Sequence, residues 1–335
     1  AIIDKLASKP VDDQVRDVLR IGAHQLLSMR IPDHAAVDTS VRLTRKVIGH
    51  KPAGFVNAIM RKISQRSMDV WLSEITKNLT GRQALAVRYS HPEWIIEELE
   101  KVAGADRIES LLEAHNARPK VTLVARPGLA TTQELLGTPG TLSPYAVTLE
   151  SGDPGAIPAI REGRAGVQDE GSQMVAITSA EVTLAGSDEN WLDLCAGPGG
   201  KAALWGALAA QRGARVVANE LQEHRAELVR SSVQALSNVE VVSHDGRSGP
   251  WAPGSFDRVL VDAPCSGLGA LRRRPESRWR KSASDFDGLT TLQEELLRAA
   301  VSYTRAGGIV AYATCSPVLA ENGEIVAKVI GENVS

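Results

Sequence analysis

The chain has 335 residues, 43% of them apolar and only 4% aromatic, and a formal net charge of −2. That length holds two or three domains with a sizeable core filled mostly by Ala, Val and Leu, while the near-neutral charge excludes a uniformly electropositive nucleic-acid binder and leaves room for local basic patches. No run approaches the ~18 consecutive apolar residues of a membrane span, Ala1 to Lys9 have no secretory pattern, and the three cysteines Cys195, Cys265 and Cys315 lack C-x-x-C spacing, so a cytoplasmic protein with free thiols and no metal centre is expected.

In chain order, residues 1–75 read as a small helical bundle. Val15, Val18, Leu19, Gly22, Leu26 and Leu27 recur at helical spacing, and further helices are predicted over 35–48 and over 53–63, where Phe55, Val56, Ile59, Met60 and Ile63 share a stripe. This segment carries 12 Lys and Arg against 8 Asp and Glu. Ser90, Pro92 and Glu93 predict the start of another helix, with Ser90 as cap and Glu93 closing a capping box, and with Trp94, Ile95, Leu99 and Val102 as its apolar face. Residues 120–127 change to strand periodicity, and a short strand is expected near 146–149 within a Gly-, Pro- and Thr-rich stretch. Residues 76–165 are therefore read as a small α+β connector.

From residue 166 strands and helices alternate. Strands are predicted over 190–195, 215–219, 239–243, 257–262 and 308–314, and helices over about 200–212, 222–236, 290–305 and 320–330. Buried-type strands separated by helices indicate a mostly parallel sheet covered on both faces, which binds ligands beyond the carboxyl ends of its strands.

The first of these strands runs into Cys195-Ala196-Gly197-Pro198-Gly199-Gly200-Lys201. The loop has neither the dinucleotide spacing nor the phosphate-loop spacing. Carboxylates follow successive strands: Asp193, Glu220 and Asp245. An acid after the second strand suits ribose hydroxyls, and the three together suggest a nucleoside ligand without a pyrophosphate; singly, each reads as a cap or a solvated acid. Asp262 and Cys265 follow the fourth strand and Cys315 ends the fifth, so two thiols are expected at the ligand-binding edge, with Cys195 assigned to packing. Carbon 5 of cytosine is a poor nucleophile until a thiolate adds to carbon 6 and an acid offsets the charge on ring nitrogen 3. Asp262 is placed to meet the base's pairing edge in its protonated form. Position and chemistry alone do not say which thiol attacks.

The motifs DLCAGPGGK, DAPCSGLG and ATCSP, in this order, closely resemble those of the RsmB/Sun family of RNA cytosine-carbon-5 methyltransferases. VQDEGSQ at 167–173 resembles the segment before that family's first core strand, and LRIGAHQLL, AAVDTSV, GFVNAIMRK and SHPEW resemble a NusB-like helical N-domain and its connector. The resemblance implies three parts: an all-α NusB-like RNA-binding domain over 1–75, the α+β connector over 76–165, and a Rossmann-like methyltransferase domain over 166–335.

It also implies Cys315 as nucleophile, Cys265 in resolving the covalent adduct, and Asp262 in contact with the cytosine. S-adenosylmethionine is expected over Cys195, Ala196, Gly197, Pro198, Gly199, Gly200 and Lys201, with Glu220 near its ribose, Asp245 near its adenine, and Asp262 and Arg225 lining the same site. Lys201 helps orient the active site, and Arg247 is either a supporting contact or a surface ion pair. RRRPESRW resembles a basic segment of the family, which makes Arg272 and Arg273 candidate phosphate contacts and Trp279 a candidate base stacker or a packing residue.

The implied partner is structured 16S ribosomal RNA, naked or in an early small-subunit particle, met by a monomer. Transfer RNA or 23S RNA as substrate, a DNA cytosine methyltransferase attacking through Cys265, and a non-catalytic ribosome-assembly factor are the competing readings. Two departures stand out: Gly197 replaces an Ala common in relatives, and the family's first helices and last strand pair are expected to lie outside residues 1–335.

Overall fold

A computed structural model describes residues 1–29 and 31–333. They divide into two compact units, residues 1–100 with 105–112, and residues 101–104 with 113 onward.

The first unit is helical: α1 (Ile2–Leu6), α2 (Asp13–Ser28), α3 (Asp33–Val47), α4 (Ala53–Ser64), α5 (Met68–Thr76), α6 (Gly81–Tyr89), most of α7 (Glu93–Ala103) and the start of α8 (Ile108–Asn116). Asp12 caps α2 by accepting from the backbone N–H groups of Gln14 and Val15, satisfying donors that a helix start leaves unpaired. Val15, Val18 and Leu19 of α2 pack on Val56, Ile59, Met60 and Ile63 of α4. Gly22 lets the helices approach closely: a Cβ there would lie 2.5 Å from Ser40 Oγ and from Met60 Cε. The Trp71 indole, buried, donates to the Ile63 carbonyl and pins α5 to the end of α4.

Three details differ from expectation. Phe55 and Val102 are exposed rather than core. Trp94 is only half-buried, and Ile96 joins Ile95 and Leu99 inside. Ser90 closes α6 in the left-handed conformation (φ 57°) instead of standing at the start of α7, because Pro92 supplies the carbonyl that opens α7.

The second unit holds two sheets. Strands β1 (Val121–Ala125), β2 (Thr138–Pro139), β3 (Ala146–Leu149) and β4 (Ala165–Val167) form an antiparallel sheet in the order β2-β3-β1-β4, with the short α9 (Pro158–Arg161) beside β4. After α10 (Glu170–Glu181) comes the larger sheet. It contains β5 (Asn190–Asp193), β6 (Arg215–Asn219), β7 (Val239–Val242), β8 (Phe256–Asp262) and β9 (Thr304–Ala313), all parallel, in the order β7-β6-β5-β8-β9. The chain leaves β5 in one direction toward β7 and then crosses to β8 on the other side, so the order reverses between β5 and β8. That reversal opens a crevice at the carboxyl ends.

Helices α11 (Gly200–Ala210), α12 (Glu223–Val233), α13 (Ser277–Arg280), α14 (Asp285–Tyr303) and α15 (Gly323–Asn333) complete the unit. Alternate strand residues serve opposite faces. Trp191, Val216 and Leu260 pack with Leu204, Trp205 and Ile177 under α10 and α11. Leu192, Val259 and Val261 pack with Leu296, Ala300 and Tyr303 of α14. Strand β9 begins at Thr304, four residues before its predicted start, because Thr304 pairs with Phe256 and the register then shifts so that Ile309 pairs with Arg258. On the β9 side the shift spans the stretch that contains Gly307 and Gly308.

The amino-terminal edge of this sheet is tied by buried charge. Arg258, 1% exposed, donates from Nε and Nη2 to Asp188 and from Nη1 and Nη2 to the carbonyls of Ser179 and Val182, and its guanidinium lies over the Trp191 ring at 5.1 Å. Asp257 accepts from the backbone N–H groups of Glu189 and Asn190 and from Arg305. Replacing Arg258 by Ala leaves Asp188 without its main partner and two carbonyls unpaired. A loss of about 3 kcal/mol is expected, read as a lower urea midpoint at unchanged slope.

Candidate active site

The carboxyl ends of β5, β6, β8 and β9 carry the groups picked out in the sequence. The β5 loop reaches α11 through Gly199, whose φ of 110° is left-handed and favours glycine. A Cβ there would also strike Ser232 and the Val229 backbone. Side chains of α12 hold the loop's carbonyls: Arg225 Nη2 donates to Gly197 at 2.8 Å and Ser232 to Pro198 at 3.2 Å. Asn219, buried at the end of β6, donates to the Leu194 and His244 carbonyls and accepts from the His244 N–H, so one amide joins the loops after β5, β6 and β7. Cys195 and Ala196 lead into this loop and pack against the core. Burial pushes the Cys195 thiol up, in keeping with a packing role.

Glu220 is 5% exposed and stands beside Gly197. A Cβ at Gly197 would run into its carboxylate, so an Ala here requires Glu220 to move. Glu220 also accepts from the Gln222 N–H and lies 3.6 Å from Arg225. Asp193 is fully buried, and neither of its carboxyl oxygens has a hydrogen-bond partner. Burial, followed by the negative charge of Asp262, raises it to about 8, so it is neutral at pH 7. Asp245 is gripped in a two-point contact by Arg247, which also reaches Glu295. The Arg247 hydrogen bonds hold Asp245 below the usual carboxylate range, and Arg247 is thereby an ion-pair residue.

Lys201, in the first turn of α11, donates to Asp262 at 2.8 Å. Asp262 ends β8 opposite Ala313 of β9. Beyond that pair, Cys265 and Cys315 come within 3.3 Å, sulfur to sulfur, with Cys315 the more exposed. The hydrogen bond from Cys265 pulls Cys315 down to about 7 against its burial, and Lys201 assists. Cys265 is pushed up by the same contact and by burial. Of the two sulfurs, Cys315 is thus the one favoured as thiolate.

The basic segment divides. Arg273 is held by Asp169 and the Lys120 carbonyl, and Arg272 lies 4.0 Å from the same Asp169; a phosphate would have to displace that carboxylate. Arg278 is buried against the His115 carbonyl. Trp279 is 63% exposed, which removes the packing reading. Sequence reasoning passed over Ser266, Gln293 and Glu321, which form a buried polar cluster behind the two cysteines; the only signal was the position of two serines directly after the two thiols.

The residues fit a nucleoside ligand carrying positive charge. The crevice edge is rich in carboxylates, Asp193, Glu220, Asp245 and Asp262, while the guanidinium groups of Arg225 and Arg247 are engaged by protein oxygens and the Lys201 ammonium by Asp262. Such a set disfavours a pyrophosphate and suits hydroxyls and a cation.

Two family models match. The one described as 16S rRNA methyltransferase RsmB/F covers residues 182–334, and the NusB family covers residues 1–65. A Mycobacterium tuberculosis protein provisionally named a methyltransferase is 46% identical over 325 residues, spanning 95% of this chain and 71% of its own. Ribosomal RNA small subunit methyltransferase B of Escherichia coli is 34% identical over 337 residues, spanning 96% and 75%. Among solved structures, PH0851 superposes with a TM-score of 0.79 at 22% identity, over 97% of this chain and 74% of that one. NSun6 from Pyrococcus horikoshii with SFG gives 0.61 at 15% identity, over 72% and 87%; at these identities the two establish the fold.

Alkylation of Cys315 by iodoacetamide reads its ionisation directly. Its pKa is lowered to about 7, so the thiolate is present above pH 7 and lost below it. The rate is expected to be half-maximal near that pH and to fall about tenfold per unit on the acid side. In Lys201→Met the midpoint moves upward, because a positive charge favouring the thiolate is removed. A wild-type midpoint at the ordinary thiol value would contradict the assignment.

Proposed function

The chain belongs to the RsmB/F family and is an S-adenosylmethionine-dependent RNA methyltransferase, and from that premise we propose that it methylates carbon 5 of a cytosine in 16S ribosomal RNA, with Cys315 as nucleophile. The observation that carries this reading is the 3.3 Å approach of Cys265 and Cys315 at the crevice edge, with Cys315 the more exposed of the two.

S-adenosylmethionine, when bound, supplies an electrophilic methyl group. The residues to hold it are the loop Cys195–Lys201, Glu220 for the ribose hydroxyls, Asp245 toward the adenine, Asp262 at the shared wall, and Arg225, which fixes the Gly197 carbonyl. The target base leaves its stack to reach the pocket, and Trp279 offers it or a neighbour a stacking face. The Cys315 sulfur forms a bond to carbon 6, and the electron pair of the carbon 5–carbon 6 double bond moves toward carbon 5 and the ring. The proton along the Lys201–Asp262 hydrogen bond offsets the charge that develops at ring nitrogen 3. Once carbon 5 carries the methyl group, a base such as a water molecule takes its hydrogen as a proton, the electrons of that C–H bond re-form the carbon 5–carbon 6 double bond, and the carbon 6–sulfur pair leaves with Cys315 as thiolate. Cys265, at hydrogen-bond distance from the departing sulfur, assists that release. The helical N-domain adds RNA contacts, and the protein works as a cytoplasmic monomer on structured RNA.

Single replacements separate the roles. Cys315→Ser loses at least on the order of 10³-fold in methylation rate and forms no adduct. Cys265→Ser attacks but does not release, so an RNA–protein adduct accumulates on denaturing gels. The opposite pattern would give the nucleophile to Cys265. Mapping 5-methylcytosine in ribosomal RNA from cells lacking the protein is expected to show one lost 16S site. Loss in transfer RNA or 23S RNA alone would move the substrate.

A further inference from the structure

Glu321 has no solvent exposure, yet among the described residues no lysine or arginine pairs with it. A buried carboxylate without a cation is costly unless neutral donors surround it. Here they do: Oε1 accepts from the Ser266 N–H at 2.7 Å and from Gln293 Nε2 at 3.1 Å, and Oε2 accepts from Ser266 Oγ at 2.5 Å. Gln293 Nε2 also donates to the Pro264 carbonyl at 2.8 Å. The loop around Cys265 is thus gripped on both sides of the cysteine, at residues 264 and 266.

The same cluster holds the other loop. The Ser266 and Ser316 hydroxyls lie 3.1 Å apart. Asn322, next to Glu321, accepts from Thr314 Oγ1 at 2.7 Å and donates to the Ser316 carbonyl at 2.7 Å, so residues 314 and 316 are fixed on either side of Cys315. The Gly269 N–H donates to the Cys315 carbonyl at 2.9 Å and closes the frame. Glu321, Tyr312 and Cys315 face Cys265, whereas Lys201 and Asp262 bear on Cys315.

We propose that Glu321 is a positioning residue for the two-thiol reaction: it clamps the Cys265 and Cys315 loops at their short separation, so that the two sulfurs stay in contact and act unequally. The inference rests on the reaction proposed above, but its readout is thiol reactivity, which needs no RNA.

The test compares the full chain with Glu321→Gln and Ser266→Ala, alkylated with iodoacetamide from about pH 6 to about pH 9 and quantified at each cysteine by mass spectrometry. In the wild type Cys315 reacts roughly tenfold or more faster than Cys265. In Glu321→Gln, where an amide N–H group meets the Ser266 donors, the ratio falls toward one. Its kcat then drops roughly tenfold, with RNA KM and S-adenosylmethionine affinity unchanged. Ser266→Ala moves the ratio the same way by less. A wild-type ratio in Glu321→Gln overturns the proposal, whether or not kcat falls, since a structural residue would lower activity without exchanging the thiols. If Glu321→Gln loses S-adenosylmethionine affinity through misfolding, Ser266→Ala decides, and an unchanged ratio there is equally fatal. A collapsed ratio in a protein that methylates no cytosine would retain the positioning role and reject the reaction.

Discussion

Strands β8 and β9 pair in parallel with Asp262 beside Ala313, and the reactive chemistry of the molecule depends on that register. Three residues beyond Asp262 the chain reaches Cys265, and two beyond Ala313 it reaches Cys315. A one-residue slip in either strand would turn its side chains to the opposite face and carry one sulfur away from the other. The register is secured from both faces of the sheet: Leu260 packs under α10 and α11, while Val259 and Val261 pack on α14. The packing that secures the register thereby brings the two loops together, and the polar cluster around Glu321 holds them there.

Charge is arranged around that distance with little cation to spare. Asp193, Glu220 and Asp262 crowd the crevice, and Lys201 is shared between Asp262 and the field at Cys315. Asp193 escapes the repulsion by staying protonated. The buried carboxylate of Glu321 avoids it differently, through neutral donors. Burial is thus met by protonation at Asp193 and by surrounding hydrogen-bond donors at Glu321.

The parallel sheet, the glycine loop and the pair of cysteines were legible in the sequence because each rests on a local rule: strand composition, turn chemistry, or a motif at a strand end. What escaped depends on partners far away in the chain. Glu321 sits at a helix entrance and reads as a solvated acid; its partners are 28 and 55 residues distant. Arg273 reads as a phosphate ligand until Asp169, 104 residues earlier, is found beside it. Ser90 carries a genuine cap signal, but the preceding helix claims it in the left-handed conformation. The early start of β9 was hidden because Thr304 and Arg305 fall in the stretch read as helix over about 290–305, and a register shift separates them from the strand read over 308–314.

The two ends of the parallel sheet are built from different materials. At one, Arg258 and Arg305 are locked to Asp188, Asp257 and backbone carbonyls; at the other, loops carry the sulfurs and carboxylates. Buried ion pairs thus concentrate at the end opposite the crevice. Substitutions in the loops at the open end therefore leave this network of buried ion pairs in place.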